Sequence, residues 1–245
     1  MQLIQFTKQL RKLSFVVMAW RSSGFSNDEL ISNLKSSNII QSSTVENAMR
    51  SVDRNNYAPS NPYMDSPQSI GYQATISAPH MHAYALEILR PHVEEDGARV
   101  LDVGCGSGYL AAVLARLAPP NGKVWGMDYI PELVALSETN TQKGDSDLLG
   151  QGGKLEYIQG DGWRGLPDHA PFSCIHVGAA AASVPLDLVA QLKPGGVMVI
   201  PVGPQGGSQF LMRIDRTTDE GPVERSYTSE RLMGVRYVPL VDTSR

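Results

Sequence analysis

Arg99–Gly108 reads RVLDVGCGSG. Val100, Leu101 and Val103 form a short apolar run that breaks into Gly104, Gly106 and Gly108, and an apolar helical pattern from Tyr109 to Leu117 follows at once. That order predicts a buried parallel strand, a glycine turn and a helix. Glycine has no Cβ and tolerates positive φ, so such a turn lets backbone approach a ligand closely. The stretch therefore predicts a nucleotide-type cofactor site.

Downstream, strand and helix patterns alternate. Pro119-Pro120-Asn121-Gly122 ends the helix, and Lys123–Asp128 (KVWGMD) reads as the next strand. Asp128 stands 20 residues beyond Gly108 and ends that strand, where an acid accepts the ribose hydroxyls of an adenosine. Pro131 opens a helix to about Lys143, and Gly144–Gly153 is a polar loop. Lys154–Gln159 is a third strand leading into Gly160-Asp161-Gly162; the Asp161 carboxylate suits either an adenine amino group or a local Asx-type turn. Phe172–Val177 is a fourth strand with a tip of small residues, Gly178–Ala181. A helix over Pro185–Leu192 stops at Lys193-Pro194-Gly195-Gly196, and strands follow at Val197–Pro201, Gln209–Asp215 and Leu232–Val238. This alternation predicts an α/β fold: a Rossmann-like, doubly wound, mostly parallel sheet with helices on both faces. Ligands in such sheets bind beyond the carboxyl ends of the strands, where Gly104, Asp128, Asp161 and Gly178 all fall.

Upstream, Asn27 is the expected cap of a helix over Asp28–Lys35, and Thr44 that of a helix over Val45–Val52. Asn55–Gly71 shows no period and reads as a long loop, ordered by Tyr57, Tyr63 and Met64 or simply wrapping the core. Pro79 suits the first position of a helix to Arg90, whose core stripe is Met81, Tyr84, Ala85, Ile88 and Leu89. Thr75 and Ser77 stand just before its entrance. Free N–H groups there, with two hydroxyls, suit a carboxylate; His82, off the stripe, faces the same site. The competing reading is that these groups serve only their own backbone.

The chain has 245 residues with a formal net charge of −4, which disfavours nucleic acid as a partner. No apolar run is long enough to cross a membrane. Its two cysteines, Cys105 and Cys174, suggest no disulfide framework and a reducing compartment. His80 and His82 form an HxH pair with nothing nearby to complete a metal site, so no metal is expected. Met1–Arg21 is basic and free of acids. It reads as an extension outside the fold, with an organelle-targeting or membrane-surface segment as the alternative. Residues 22–245 are expected to form one domain.

The cofactor can be narrowed further. A dinucleotide turn is G-x-G-x-x-G, but Tyr109 follows Gly108 here, so the third glycine of that fingerprint is missing. LDVGCGSG, Asp128, Gly160-Asp161-Gly162 and LKPGG together resemble a class I S-adenosylmethionine-dependent methyltransferase. NPYMDSPQSIGYQATISAPHMHAYALE (Asn61–Glu87), HVGAAA (His176–Ala181), PVGPQGGSQ (Pro201–Gln209) and LMGVRYVPL (Leu232–Leu240) resemble the protein-L-isoaspartate O-methyltransferase family. The resemblance runs from about Met18 to Leu240. It implies methyl transfer from S-adenosyl-L-methionine to the α-carboxylate of isoaspartyl residues in aged proteins and peptides, by a cytosolic monomer. It implies an active-site serine at Ser77. It also implies cofactor contacts from Ala74, Thr75, Ile76, Ser77, His82, Asp102, Gly104, Gly106, Asp128, Tyr129, Gly160 and Asp161. The chain departs from the family pattern at Cys105, where Ser is common, at Tyr129, where His is, and at Trp163, where Arg is usual. It also departs at Val241, where Thr is common.

Overall fold

The structure is a computed structural model that describes residues 22–241. The expectations for Met1–Arg21 therefore lie outside the described residues. Helix α1 spans Asn27–Ser36 and α2 spans Ser43–Ser51. The caps are Ser26 and Ser42, whose hydroxyls accept the N–H groups of Glu29 (3.2 Å) and Val45 (3.3 Å), not the expected Asn27 and Thr44. Asn27 is engaged elsewhere: its buried side-chain amide donates to the carbonyls of Met49 (3.1 Å) and Arg50 (3.3 Å) at the end of α2. Closing a neighbouring helix end outweighs capping its own. Glu87 does similar work for α2, accepting the N–H groups of Gln41 and Ser42 at 2.8 and 2.9 Å.

The expected loop Asn55–Gly71 ends in structure. A 3-10 turn covers Arg54–Asn56, and β1 (Gln68–Gly71) pairs antiparallel with β2 (Ala74–Ile76). Helix α3 runs Pro79–Val93, with proline in its first turn as expected. Its fully buried face is Pro79, His82, Ala83, Ala85, Leu86, Leu89 and Val93, while Met81, Tyr84 and Ile88 are half-buried. The core stripe thus lies about one residue on from the expected one, and this carries His82 inside.

The remaining elements are β3 (Arg99–Val103), α4 (Tyr109–Leu117), β4 (Lys123–Asp128), α5 (Pro131–Gln142), β5 (Leu155–Gln159), β6 (Phe172–Val177), α6 (Leu186–Ala190), β7 (Leu192–Val202), β8 (Gln209–Arg216) and β9 (Tyr227–Val235). They build a seven-stranded sheet in the order β5-β4-β3-β6-β7-β8-β9. The first five of these strands are parallel, and β8 and β9 continue antiparallel. In the register, Val100 lies beside Val124 and Cys174, and Leu101 beside Trp125 and Ile175. The first set faces a core shared with Leu30, Met49, Leu86, Leu114 and Leu133 from α1–α5. The second faces a smaller core closed by Leu188 and Val189 of α6. Strands buried on both faces read as continuous apolar runs, which is why β3, β4 and β6 are legible in sequence.

The last strand starts five residues before the expected Leu232, at Tyr227, because it is an edge strand. Thr228, Ser229 and Glu230 are exposed and interrupt the apolar pattern, while the ladder to β8 holds them in place. Beyond Val235 the chain leaves the sheet. Its N–H and C=O groups at Leu240 and Val238 bond Ala180 (both 2.8 Å), which lays the segment across the tip of β6.

Candidate active site

The order in which successive parallel strands are added reverses at β3, with β4 on one side of it and β6 on the other. The strand tips therefore open a crevice at that point. Gly104 and Gly178 end the two strands and approach so closely that a Cβ on Gly178 would lie 2.8 Å from the Gly104 carbonyl. The Gly104 and Cys105 N–H groups donate to the Met127 carbonyl at 2.8 and 2.9 Å, which staples the glycine turn to the end of β4. Gly108 caps α4 in the left-handed region (φ +86°), and a Cβ there would meet the Tyr157 hydroxyl at 2.5 Å. The close helix–sheet approach is thus present without the dinucleotide spacing.

A cavity of about 350 Å³ occupies the crevice, a size suited to one small molecule. Gly104, Gly106, Asp128, Tyr129 and Gly160 line it, as do Ala74 and Thr75 of the hairpin. The Asp128 carboxylate accepts the Gly106 N–H at 3.1 Å and the Ile130 N–H at 3.2 Å. Burial raises its pKa, and those backbone donors work against the rise. Each oxygen keeps lone-pair capacity toward the cavity, as a ribose acid requires. Tyr129 is 40% exposed on the rim, open for stacking. Apolar Met127, Ile130 and Leu133 form one wall, and Val238–Val241 another.

Of the other expected contacts, Ile76, Ser77, His82 and Asp102 line an adjoining chamber, and Asp161 lines neither space. The Asp161 Oδ1 accepts the Trp163 N–H at 2.9 Å, the Asx-type turn that was its alternative reading. Trp163, where the family pattern has Arg, donates from Nε1 to the Leu240 carbonyl at 3.1 Å. It ties down the segment that walls the cavity, whereas Arg164 is mostly exposed.

A narrow chamber of about 30 Å³ adjoins the cavity, lined by Ile76, Ser77, His82, Asp102 and His176. Asp102 Oδ1 is 2.7 Å from His176 Nδ1, and its buried Oδ2 has no partner. An orphaned buried carboxylate oxygen beside the cavity suits a cationic group such as an amino acid's ammonium. Burial, with Arg54 nearby, holds His82 well below its usual pKa, so its ring is neutral at physiological pH. Burial likewise pushes the Cys105 thiol up, which removes it as a nucleophile.

Beyond Ser77 the chamber opens into a groove of about 780 Å³ bounded by Pro67, His80, Met81, Gln205–Gly207 and Gly234–Pro239. From the stretch Asn61–Thr75 the groove takes only Pro67 and Thr75. Most of its wall comes from the loop after β7 and the segment after β9. Thr75 and Gly178 line the cavity, the chamber and the groove alike.

The entrance of α3 differs from expectation. The His80 N–H is taken by the buried Asp65 Oδ1 at 3.0 Å, and the Met81 and His82 N–H groups bond the Ala78 carbonyl. The first-turn donors of His80, Met81 and His82 are therefore engaged. Ser77 supplies a hydroxyl, within hydrogen-bonding reach of the Tyr237 phenol. His80 Nδ1 also meets Asp65 (2.8 Å) while His82 Nδ1 meets Arg54 (3.3 Å), so the HxH pair turns to separate partners. Arg54, Asp65 and Tyr237 were not found from sequence. For Arg54 and Asp65 the only signal was charge within DRNNYAPSNPYMD, a stretch without periodicity.

A parallel sheet with this switch point, a strand-end acid over a glycine turn and no pyrophosphate-type spacing define a class I S-adenosylmethionine-dependent methyltransferase. The model of the protein-L-isoaspartate(D-aspartate) O-methyltransferase family matches residues 25–245. The chain belongs to that family. A Caenorhabditis elegans protein-L-isoaspartate O-methyltransferase is 48% identical over 228 residues, 93% of this chain and 97% of that one. The Triticum aestivum protein of the same name is 44% identical over 220 residues, 89% and 92% of the two chains. A Plasmodium falciparum crystal structure described as this enzyme, in complex with S-adenosyl-L-homocysteine, superposes with a TM-score of 0.79. It is 32% identical, covering 89% of this chain and 99% of that one.

Proposed function

We propose that this chain is a protein-repair enzyme that methylates the free α-carboxylate of L-isoaspartyl residues, using S-adenosyl-L-methionine. The observation that carries the reading is the junction at Thr75, Ser77 and Gly178, where a nucleoside-sized cavity meets a peptide-sized groove. Asp128 would hold the ribose, Tyr129 and Gly160 the adenine side, and Asp102 with its free oxygen the ammonium end. The cofactor supplies a methyl group on a sulfonium.

The acceptor is already ionised at pH 7, so no general base is needed. The chain's task is to hold the carboxylate in line and to exclude water. Ser77 donates to one carboxylate oxygen and so is a positioner rather than a covalent nucleophile; the narrow chamber beside it leaves little space for solvent. In an isoaspartyl residue the free carboxylate sits directly on Cα and the main chain runs through Cβ. Selection against normal aspartate is then geometric: the groove fixes the main chain, and only the isomer brings its carboxylate to Ser77. The methyl ester closes to a succinimide as the following backbone nitrogen attacks and methanol leaves. Hydrolysis of that ring gives aspartyl linkage in part.

The reading includes D-aspartyl acceptors, a single domain over residues 22–245, a monomeric state and a cytosolic location, all carried by the family resemblance. Among the described residues no helix is long and apolar enough to cross a membrane.

Matched isoaspartyl and aspartyl peptides with methyl-labelled cofactor test the proposal. Base-labile label is expected on the isoaspartyl peptide alone. Ser77→Ala should lower peptide kcat/KM about 10²-fold or more, the loss expected for one positioning donor, with cofactor affinity within threefold of wild type. Transfer to neither peptide would end the reading, and unchanged turnover in the Ser77 variant would remove its role.

A further inference from the structure

Arg54 is completely buried at the start of the turn that follows α2, a costly place for a charge. Burial pushes its pKa down only to about 10, so it stays charged at neutral pH. Among the described residues no carboxylate pairs with it; Asp65, whose charge acts on it, holds His80 instead. Its contacts converge on the acceptor chamber. Nη2 donates to the Ser77 carbonyl at 2.8 Å, Nη1 lies 3.3 Å from His82 Nδ1, and the guanidinium carbon sits 5.1 Å from the Tyr109 ring centroid.

A guanidinium only donates. The His82 Nδ1 that meets it must therefore be the acceptor, and the proton of the neutral ring sits on Nε2. His82 also lines the chamber, so Nε2–H is the polar group it can offer there. We propose that Arg54 is a positioning residue for methyl transfer: one buried fork fixes Ser77 through its carbonyl and locks His82 in the Nε2–H form, so that two neutral donors frame the incoming carboxylate. This rests on the isoaspartyl reading above. Arg54 acts through Ser77 and His82, which line the narrow chamber and not the cofactor cavity, so its influence should fall mainly on the acceptor.

The test has two arms. Imidazole ¹⁵N spectra of the wild-type protein with S-adenosyl-L-homocysteine, with His82 assigned through His82→Gln, read the tautomer directly. An acceptor-type Nδ1 and a protonated Nε2 are expected; a protonated Nδ1 overturns the proposal without any variant having to fold. In the second arm Arg54→Lys and Arg54→Gln are assayed. Peptide kcat/KM should fall at least tenfold in both, with methyl-donor KM within twofold of wild type, and His82 in Arg54→Gln should show mixed tautomers. Wild-type peptide turnover in Arg54→Lys refutes the positioning role, as does a loss of donor affinity in step with turnover. Failure of wild type to methylate the isoaspartyl peptide would refute the functional reading instead, and the tautomer result would still decide what Arg54 does to His82.

Discussion

Asp128→Asn isolates the cofactor side of the cleft. The carboxylate is 6% exposed, accepts two backbone N–H groups and faces the cavity at the end of β4. A hydrogen bond to a charged acceptor contributes about 1.5–3 kcal/mol, so two ribose hydroxyls draw roughly 3–6 kcal/mol from this side chain. Asn keeps one oxygen but presents an NH₂ where the other stood. About 2–4 kcal/mol should be lost, which weakens cofactor binding roughly 30- to 1000-fold. In the unliganded fold Asn loses one of the two backbone bonds, about 1 kcal/mol, and this is offset because burial makes the Asp128 charge a cost, so the net change in stability should be small. The linkage has a definite sign. A carboxyl whose folded pKa lies above its unfolded value stabilises fully below the unfolded pKa, and that contribution is lost as pH rises through the folded one. The unliganded wild type should therefore lose stability as pH rises above 3.8, the unperturbed value, by a component that the Asn variant lacks. Calorimetric titration with S-adenosyl-L-homocysteine, and urea unfolding without ligand at pH 4 and pH 7, measure the two effects. A dissociation constant within threefold of wild type would refute the ribose assignment. A large loss of unliganded stability would mean that the acid is there to hold the turn.

Trp163→Phe removes the bond to the Leu240 carbonyl but keeps most of the ring's packing. The wall segment should loosen by about 1 kcal/mol, seen as roughly fivefold weaker cofactor binding in the same titration; unchanged binding would show that the segment needs no tether. Gly108→Ala brings a Cβ within 2.5 Å of the Tyr157 hydroxyl at φ +86°. Strain and overpacking should cost about 2–4 kcal/mol in urea unfolding, and adding Tyr157→Phe should recover only the overpacking part. Full recovery in the double variant would refute the conformational share.

The parts legible in sequence share one physical cause. β3, β4 and β6 are buried on both faces, so apolar runs mark them and Gly104, Asp128 and Gly178 end them sharply. The cofactor cavity follows, because it is made of those ends. The β1–β2 hairpin was illegible for the opposite reason. Its turn is built on Tyr72 and Gln73, both at positive φ (51° and 58°), a conformation that sequence assigns to Gly, Asn or Asp. Asp161 looked like a ligand by position, yet local geometry engages it in a turn. Asp65 and Arg54 act through contacts 15 and 23 or more residues away in sequence, and no local period announces such partners.

The two halves of the site thus differ in how they are held. On the cofactor side, backbone does the work: strand ends, a glycine turn and N–H groups fixed by the sheet. On the proposed acceptor side, Ser77 lies in a short connection between a three-residue strand and a helix whose His80 N–H is already engaged by Asp65. Sheet pairing cannot set that connection's position, because β2 meets only β1. Something outside the hairpin must set it, and the Arg54 guanidinium reaches both the Ser77 carbonyl and His82 from the turn after α2. The guanidinium puts a separate NH₂ group on each acceptor, whereas a neutral amide has a single nitrogen donor. A two-pronged cation is therefore a reason, rooted in geometry, for keeping a charge where burial makes it costly.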